Sequence, residues 1–322
     1  MNIGRSPCRS ALLVAATGTA FAWLLTLAGC GGGAEGGVDS CVDSGAAEPD
    51  PTVTPSAKAL LSAQIFEDVS LSASGRQACI SCHDAGHGHA APNALPAQLG
   101  GPLLGLQGGR TASGIRYLAS NHRFRIEADV TPTGGSFWDG RAISLQDQAG
   151  DPFLNPAEMA NGSVAEVVRR LAGARYAQQF RQVFGADIFN RPDDAFDRMT
   201  LALHQYQLED ADFRPFSSKF DAFLRGQTTL ADAEQCGLAL FNAPGKGNCA
   251  ACHPSARAAD GSHPLFTDFS YDNLGVPRNP ALARNADPAF FDLGLCARPA
   301  GDLAKRLDLC GAFKVPSLRN VA

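Results

Sequence analysis

Apolar positions between residues 56 and 241 recur with the period of a helix rather than of a strand. Across Ser56 to Val69 the apolar positions are Leu60, Leu61, Ile65, Phe66 and Val69, which predicts a helix with one buried face. Ser163-Val164-Ala165-Glu166 reads as a capping box and predicts a helix running to about Phe184. A further helix is expected over Ala195 to Leu208, with Phe196, Met199, Leu203 and Tyr206 on one stripe. Shorter helices are expected around Phe216 to Leu224 and from Leu230 to Phe241. Clean strand alternation is scarce. Two long Gly- and Pro-rich stretches, Asp84 to Gly109 and Ala256 to Pro288, interrupt the helices. Loops of that length are unusual unless they carry function.

The one long apolar run, Ala11 to Leu27, follows Arg5 and Arg9 and closes with Leu27-Ala28-Gly29-Cys30. This is the pattern of a secretory signal. Its ending resembles the lipobox of bacterial lipoproteins, which implies a mature chain beginning at Cys30 and anchored to the membrane by lipid alone. A signal cut nearby, with Cys30 an ordinary residue, is the rival reading. The run is short for a retained transmembrane helix. Either way the address is periplasmic. Residues 31–55 are rich in Gly, Ala, Asp, Ser and Pro and have little to bury, so a flexible tether is expected there. Cys41 falls within it.

Chemistry enters with a signature that occurs twice. Cys79-Ile80-Ser81-Cys82-His83 and Cys249-Ala250-Ala251-Cys252-His253 both read C-x-x-C-H, the attachment site of a c-type haem. Two thiols three positions apart can each bind one vinyl group of the same porphyrin, and the following imidazole then offers an axial nitrogen to the iron. A pair of zinc half-sites is the rival reading, because Cys-x-x-Cys also occurs in zinc sites. The His after each pair and the secretory address favour two covalently bound haem c groups, with Cys79, Cys82, Cys249 and Cys252 as attachment points and His83 and His253 as iron ligands.

About 270 residues remain beyond the tether, enough for two domains. The expected fold is mainly α, with two cytochrome c-like domains each wrapped around one haem: residues 56–214 and residues 215–322. In such domains the porphyrin serves as core and the long loops wrap it. A net charge of −5 without a basic run argues against nucleic acid as a partner. Cys296 and Cys310 are close enough in sequence to pair in an oxidising compartment.

Between the haem motifs stand Ser136-Phe137-Trp138-Asp139-Gly140-Arg141-Ala142, Leu145-Gln146-Asp147-Gln148-Ala149 and Asn155-Pro156-Ala157-Glu158-Met159. Phe220 to Gly226, Gly237 to Phe241 and Phe313-Lys314-Val315-Pro316-Ser317-Leu318-Arg319-Asn320 follow in order. Here the chain resembles the bacterial di-haem cytochrome c peroxidase family, which includes the MauG-type enzymes, over residues 56–322. The resemblance implies that the first haem meets hydrogen peroxide and that the second takes electrons from a small donor protein, a cytochrome c or a cupredoxin. Glu158 matches the family's distal acid/base, Gln148 a pocket residue that positions peroxide or water, and Trp138 the indole between the haems. Apart from that match, Glu158 reads as a helix-terminal or salt-bridging carboxylate, Gln148 as a surface amide and Trp138 as a core indole. Asp139 and Arg141 are expected to hold the loop and a haem propionate.

Two departures from the family pattern matter. Many members carry a further His after the first motif that caps the iron until the second haem is reduced. Here the corresponding stretch, Leu103 to Arg110, has none, while His87 and His89 lie too near His83 and are expected to be loop residues. The family's sixth ligand to the second haem, a Met or Tyr, and its interdomain calcium residues fall beyond the last motif, and Ala322 is the final residue, so the chain is expected to be a fragment. Tyr271 and His263 are weak substitutes for that ligand. Met159 is expected in the first haem's pocket or in core, and Met199 in core. Members are often homodimers. A MauG-like oxidase of a protein substrate and a plain di-haem electron carrier are the competing functions.

Overall fold

The computed structural model describes residues 54–321. The expectations for the signal segment, Cys30, Cys41 and most of the tether lie outside those residues. The described chain falls into two compact units, one of residues 217–251 and 256–263, the other of residues 54–216, 252–255 and 264–321.

The larger unit is built on α5 (Pro192–Glu209), with α1 (Ala57–Phe66), α2 (Leu145–Leu154), α3 (Val164–Ala172) and α4 (Ala177–Phe184). Helices α1, α2 and α3 all pack on α5. Pro192 opens α5, where a missing N–H costs nothing. Leu61, Phe153, Leu171, Phe180, Met199 and Phe213 are fully buried where these helices meet. Met159 and Met199 both belong to this core.

The stretch expected to form one helix from Ser163 to Phe184 is two. Ser163 does cap α3 by accepting from the Glu166 N–H. The reciprocal half of the capping box is absent, because Glu166 instead accepts from the N–H of Gly162. Helix α3 then stops at Gly173, and α4 resumes after Tyr176. Helix α2 was not legible as a helix; Ser144 and Asp147 form its N-terminal capping box.

Among the described residues, strand structure amounts to three two-residue antiparallel ladders: β1 (Leu99–Gly100) with β2 (Leu106–Gln107), β3 (Arg125–Ile126) with β4 (Pro132–Thr133), and β5 (Tyr271–Asp272) with β6 (Phe313–Lys314). A small second core around Leu295, Leu303, Leu309 and Ala312 is stapled by a Cys296–Cys310 disulfide.

The smaller unit carries α6 (Lys219–Leu224) and α7 (Asp232–Asn242). Ser218 caps α6, and its partner Asp221 is fully buried against His263, with Nδ1 to Oδ1 at 2.7 Å. Cys236 is also disulfide-bonded.

Candidate haem and peroxide site

Cys79–Ser81 forms a single 3₁₀ turn, and the N–H groups of Cys82 and His83 both donate to the carbonyl of Cys79. That turn brings the two thiols and the imidazole into one patch. His83 Nδ1 lies 3.3 Å from the carbonyl oxygen of His89. With Nδ1 so engaged as a donor, Nε2 is left as the free lone pair, the arrangement a metal-ligating imidazole uses. Burial pushes the His83 imidazole down to about 4, which keeps it neutral. Burial and the neighbouring Cys82 push the Cys79 thiol up to about 12.

The second motif repeats the device. Cys249–Ala251 is again a 3₁₀ turn, and His253 Nδ1 lies 2.7 Å from the carbonyl oxygen of Phe266. His89 and Phe266 share a further property that the sequence does not announce. Both are non-glycine residues in the left-handed region, with φ of 55° and 53°. A bulky residue adopts such a backbone only where its surroundings hold it there.

A cavity of about 1040 Å³ opens beside the first motif, lined by Cys82 and His83 and also by Trp138, Gln148 and Glu158. A smaller cavity of about 70 Å³ adjoins Cys79, Cys82 and His83 and is also lined by Gln148, Glu158 and Met159. The larger space is ample for a porphyrin. Paired thiols, a neutral imidazole oriented through Nδ1 and a cavity in front of them fit a covalently attached haem. Among the described residues no group of three or more His, Cys, Asp or Glu is placed to hold a metal ion.

The three residues singled out from the sequence come together at this cavity. Gln148 sits in the second turn of α2, and its amide makes no hydrogen bond within the described protein. Glu158 follows α2 on a tight turn, in which its N–H donates to the Asn155 carbonyl and Asn155 Nδ2 donates to Glu158 Oε1 at 2.7 Å. Asn155 is thus a positioning residue that sequence reading missed, although it lies in a recognised motif. Burial raises the pKa of Glu158, reinforced by Asp151 and partly offset by Arg141 and Asn155. The β1–β2 hairpin buttresses the turn, since the Gly101 N–H donates to the Glu158 carbonyl at 2.7 Å. Gly100 touches the same turn so closely that a Cβ there would lie 2.2 Å from the Ala157 carbonyl oxygen.

Trp138 is half-buried in the cavity wall, with Nε1 donating to the Thr111 carbonyl at 3.1 Å. Its own carbonyl accepts from the Lys314 N–H. Asp139 and Arg141 are joined to each other and to Arg110 and Asp151 by ion pairs of 2.7–3.1 Å, which holds the loop as expected. Arg110 also makes a bidentate pair with Asp292, and Arg284 joins the same carboxylate. His87 lies in an exposed turn beside Asp84, whereas His89 is buried, its ring tilted against Phe213 at 4.2 Å, and its Nδ1 accepts from Arg116. The weak substitutes for a sixth ligand are both engaged elsewhere: the Tyr271 hydroxyl donates to the Gly134 carbonyl, and His263 Nδ1 pairs with Asp221.

These features fit a c-type haem protein, with a carboxylate and an amide lining the cavity beside its first motif. Comparison with known proteins sharpens that class. The di-haem cytochrome c peroxidase family matches residues 56–229. The chain is 38% identical over 273 residues to a methylamine utilization protein MauG of Paracoccus denitrificans, covering 83% of this chain and 68% of that protein. It is 30% identical over 279 residues to a cytochrome c551 peroxidase of Nitrosomonas europaea, covering 85% and 69%. The crystal structure of the diheme peroxidase BthA from Burkholderia thailandensis superposes with a TM-score of 0.77 at 35% identity, covering 85% of this chain and 67% of that one. The chain belongs to the di-haem cytochrome c peroxidase family and is an oxidoreductase of cytochrome c peroxidase type. It spans about two thirds of the length of these relatives.

Proposed function

We propose that this protein reduces hydrogen peroxide to water at its first haem, drawing electrons through its second haem from a small periplasmic cytochrome c or cupredoxin. The observation that carries the reading is Glu158: a half-buried carboxylate with a raised pKa, held by Asn155 and facing the cavity that Cys82 and His83 line. When bound, the haem would supply a redox-active iron and the route by which electrons reach peroxide. Everything else falls to the chain. His83, neutral and fixed through Nδ1, would hold the iron. The Glu158 carboxylate takes the proton from one peroxide oxygen and returns it to the other, which leaves as water. Gln148 donates an otherwise unused amide hydrogen to hold peroxide in line. With two electrons and two protons delivered, one peroxide gives two waters. Trp138 stands in the cavity wall as the aromatic stepping stone between the two haem sites.

On the same reading residues 56–214 form the peroxidatic haem domain and residues 215–322 the electron-entry domain, each wrapped around its haem. The protein works in the periplasm, tethered by lipid at Cys30. Calcium at the domain boundary and homodimerisation are carried over from the family. Among the described residues no helix is long and apolar enough to cross a membrane.

A second reading has its own support. The 38% identity to a MauG and the lack of a His from Leu103 to Arg110 favour an oxidase that acts on a protein substrate. Both readings need Glu158. The experiment is steady-state peroxide turnover of Glu158→Gln with a reduced cytochrome c, against single-turnover oxidation of a protein substrate. Loss of peroxide turnover on the order of a hundredfold or more, with haem content unchanged, is the expected result. Unchanged turnover removes Glu158 from the chemistry.

A further inference from the structure

The carbonyls behind the two axial imidazoles are held by the same arrangement, built on two dipeptides far apart in sequence, Ile115-Arg116 and Leu318-Arg319. At the first motif the His89 carbonyl oxygen lies 3.3 Å from His83 Nδ1 and accepts from the Ile115 N–H at 3.1 Å. The next residue, Arg116, reaches back to the same loop: its Nε donates to His89 Nδ1 at 3.2 Å and its Nη2 to the Ala85 carbonyl at 3.2 Å. His89 is 3% exposed, and its ring lies against that of Phe213, whose carbonyl accepts from the Tyr117 N–H. Among the described residues Arg116 has no carboxylate within ion-pair distance, and its hydrogen bonds go to the loop that follows His83.

At the second motif the Phe266 carbonyl oxygen lies 2.7 Å from His253 Nδ1 and accepts from the Leu318 N–H at 3.3 Å. Arg319, the next residue, donates from Nε to the Pro264 carbonyl at 2.8 Å and lies over the Phe266 ring at 5.8 Å. Thr267 Oγ1 donates to the Val315 carbonyl and the Val315 N–H to the Ser270 carbonyl, so residues 264–272 and 313–319 form one hydrogen-bonded saddle behind His253. In both places an N–H shares the carbonyl with the imidazole. The arginine one residue on then holds the side chain of the carbonyl-bearing residue and a second carbonyl just upstream. Both carbonyl-bearing residues have positive φ, a backbone that persists only where its surroundings hold it.

We propose that Arg116 and Arg319 are equivalent positioning residues, Arg116 acting through His89 on His83 and Arg319 through Phe266 on His253. Each keeps a left-handed residue in place so that its carbonyl stays in line with Nδ1–H. An imidazole hydrogen-bonded in this way is a stronger donor to iron and favours the ferric state.

The inference rests on haem attachment at both motifs, not on peroxide chemistry. The test is spectroelectrochemistry of the fully loaded protein, with haem content fixed beforehand by pyridine haemochrome. Lysine keeps the charge of each arginine and loses its planar fork. In Arg116→Lys the first haem should become easier to reduce, its equilibrium moving about fivefold toward ferrous, the worth of one hydrogen bond. Its iron–imidazole stretching band in the resonance Raman spectrum should fall, and the second haem should stay as in the wild type. Arg319→Lys should move the second haem in the same sense and leave the first in place. His89→Phe keeps a packed ring and removes the Arg116 acceptor, so it should match Arg116→Lys, and the double variant should move no further than either. If a lysine variant fails to load, His89→Phe or Phe266→Leu carries the same test at its motif. A wild-type potential in either lysine variant overturns the proposal, as does an equal shift of both haems. So does a shift toward ferric in Arg116→Met with Arg116→Lys unchanged, the mark of a charge facing a haem carboxylate. Absence of peroxide turnover in the wild type counts against the peroxidase reading alone and leaves these potentials to decide the inference.

Discussion

In the proposed reaction single residues set the chemistry, and they differ in how visible they are. Glu158 and Gln148 are readable because their motif is. What aims Glu158 is less so: the Asn155 amide, and the bare Cα of Gly100 against the Ala157–Glu158 backbone. Adding one methyl at position 100 forces backbone apart, which costs about 1–3 kcal/mol. Gly100→Ala should therefore lower the melting temperature and reduce peroxide turnover while leaving both haems attached, measured by thermal melts and turnover on one preparation. The raised pKa of Glu158 sets a sign as well. A base must be ionised to accept a proton, so raising its pKa moves the acid limb of kcat/KM toward neutral pH. Arg141 holds that pKa down, so Arg141→Gln should move the limb further up the pH scale, read from the pH profile.

At the scale of elements, the apolar stripes of α1 and α5 made both legible as helices but not their bounds: α5 opens at Pro192, ahead of the expected Ala195, and α1 ends at Phe66, short of the expected Val69. Helix α2 was not legible: Gln, Asp, Gly and an internal Pro152 hide it, and its Ser144–Asp147 cap has Asp where the usual box has Glu or Gln. The break between α3 and α4 needed knowledge of how Gly173 would end the first. The loops were legible as loops, but their internal order was not, because it comes from main-chain hydrogen bonds such as those of the 264–272 and 313–319 saddle. The Cys296–Cys310 disulfide staples the small core at the end of that saddle across 14 residues. A loop of that length is worth about 3 kcal/mol. Replacing both cysteines with Ser should lower the melting temperature and broaden the spectrum of the second haem before the first, followed by absorbance during heating.

Across the larger unit, ion pairs tie together stretches far apart in sequence. Asp292 receives Arg110 from 182 residues away and Arg284 from its own loop. Burial alone would raise its pKa, but the two guanidiniums outweigh it and hold the carboxyl below the ordinary carboxylate range. A carboxylate with a depressed folded pKa contributes stability above its unfolded value, and that contribution disappears as pH falls through the folded value. Asp292→Asn should thus be less stable than the wild type by about 2 kcal/mol at neutral pH. The gap should close in acid, below about pH 4, and denaturant titrations at a series of pH values check it. Such a long-range tie cannot be read from sequence, where Asp292 stands in an unremarkable acidic and apolar stretch.

The paired left-handed residues His89 and Phe266 carry a consequence for how this protein can change. In each motif the group that grips the iron ligand from behind is a peptide oxygen, and no side-chain replacement can delete an oxygen of the main chain. Selection or engineering can therefore reach these two contacts only through the backbone, by choosing residues that tolerate or resist a positive φ at 89 and 266. Glycine or asparagine there would slacken the grip by degrees, and a β-branched residue would break it.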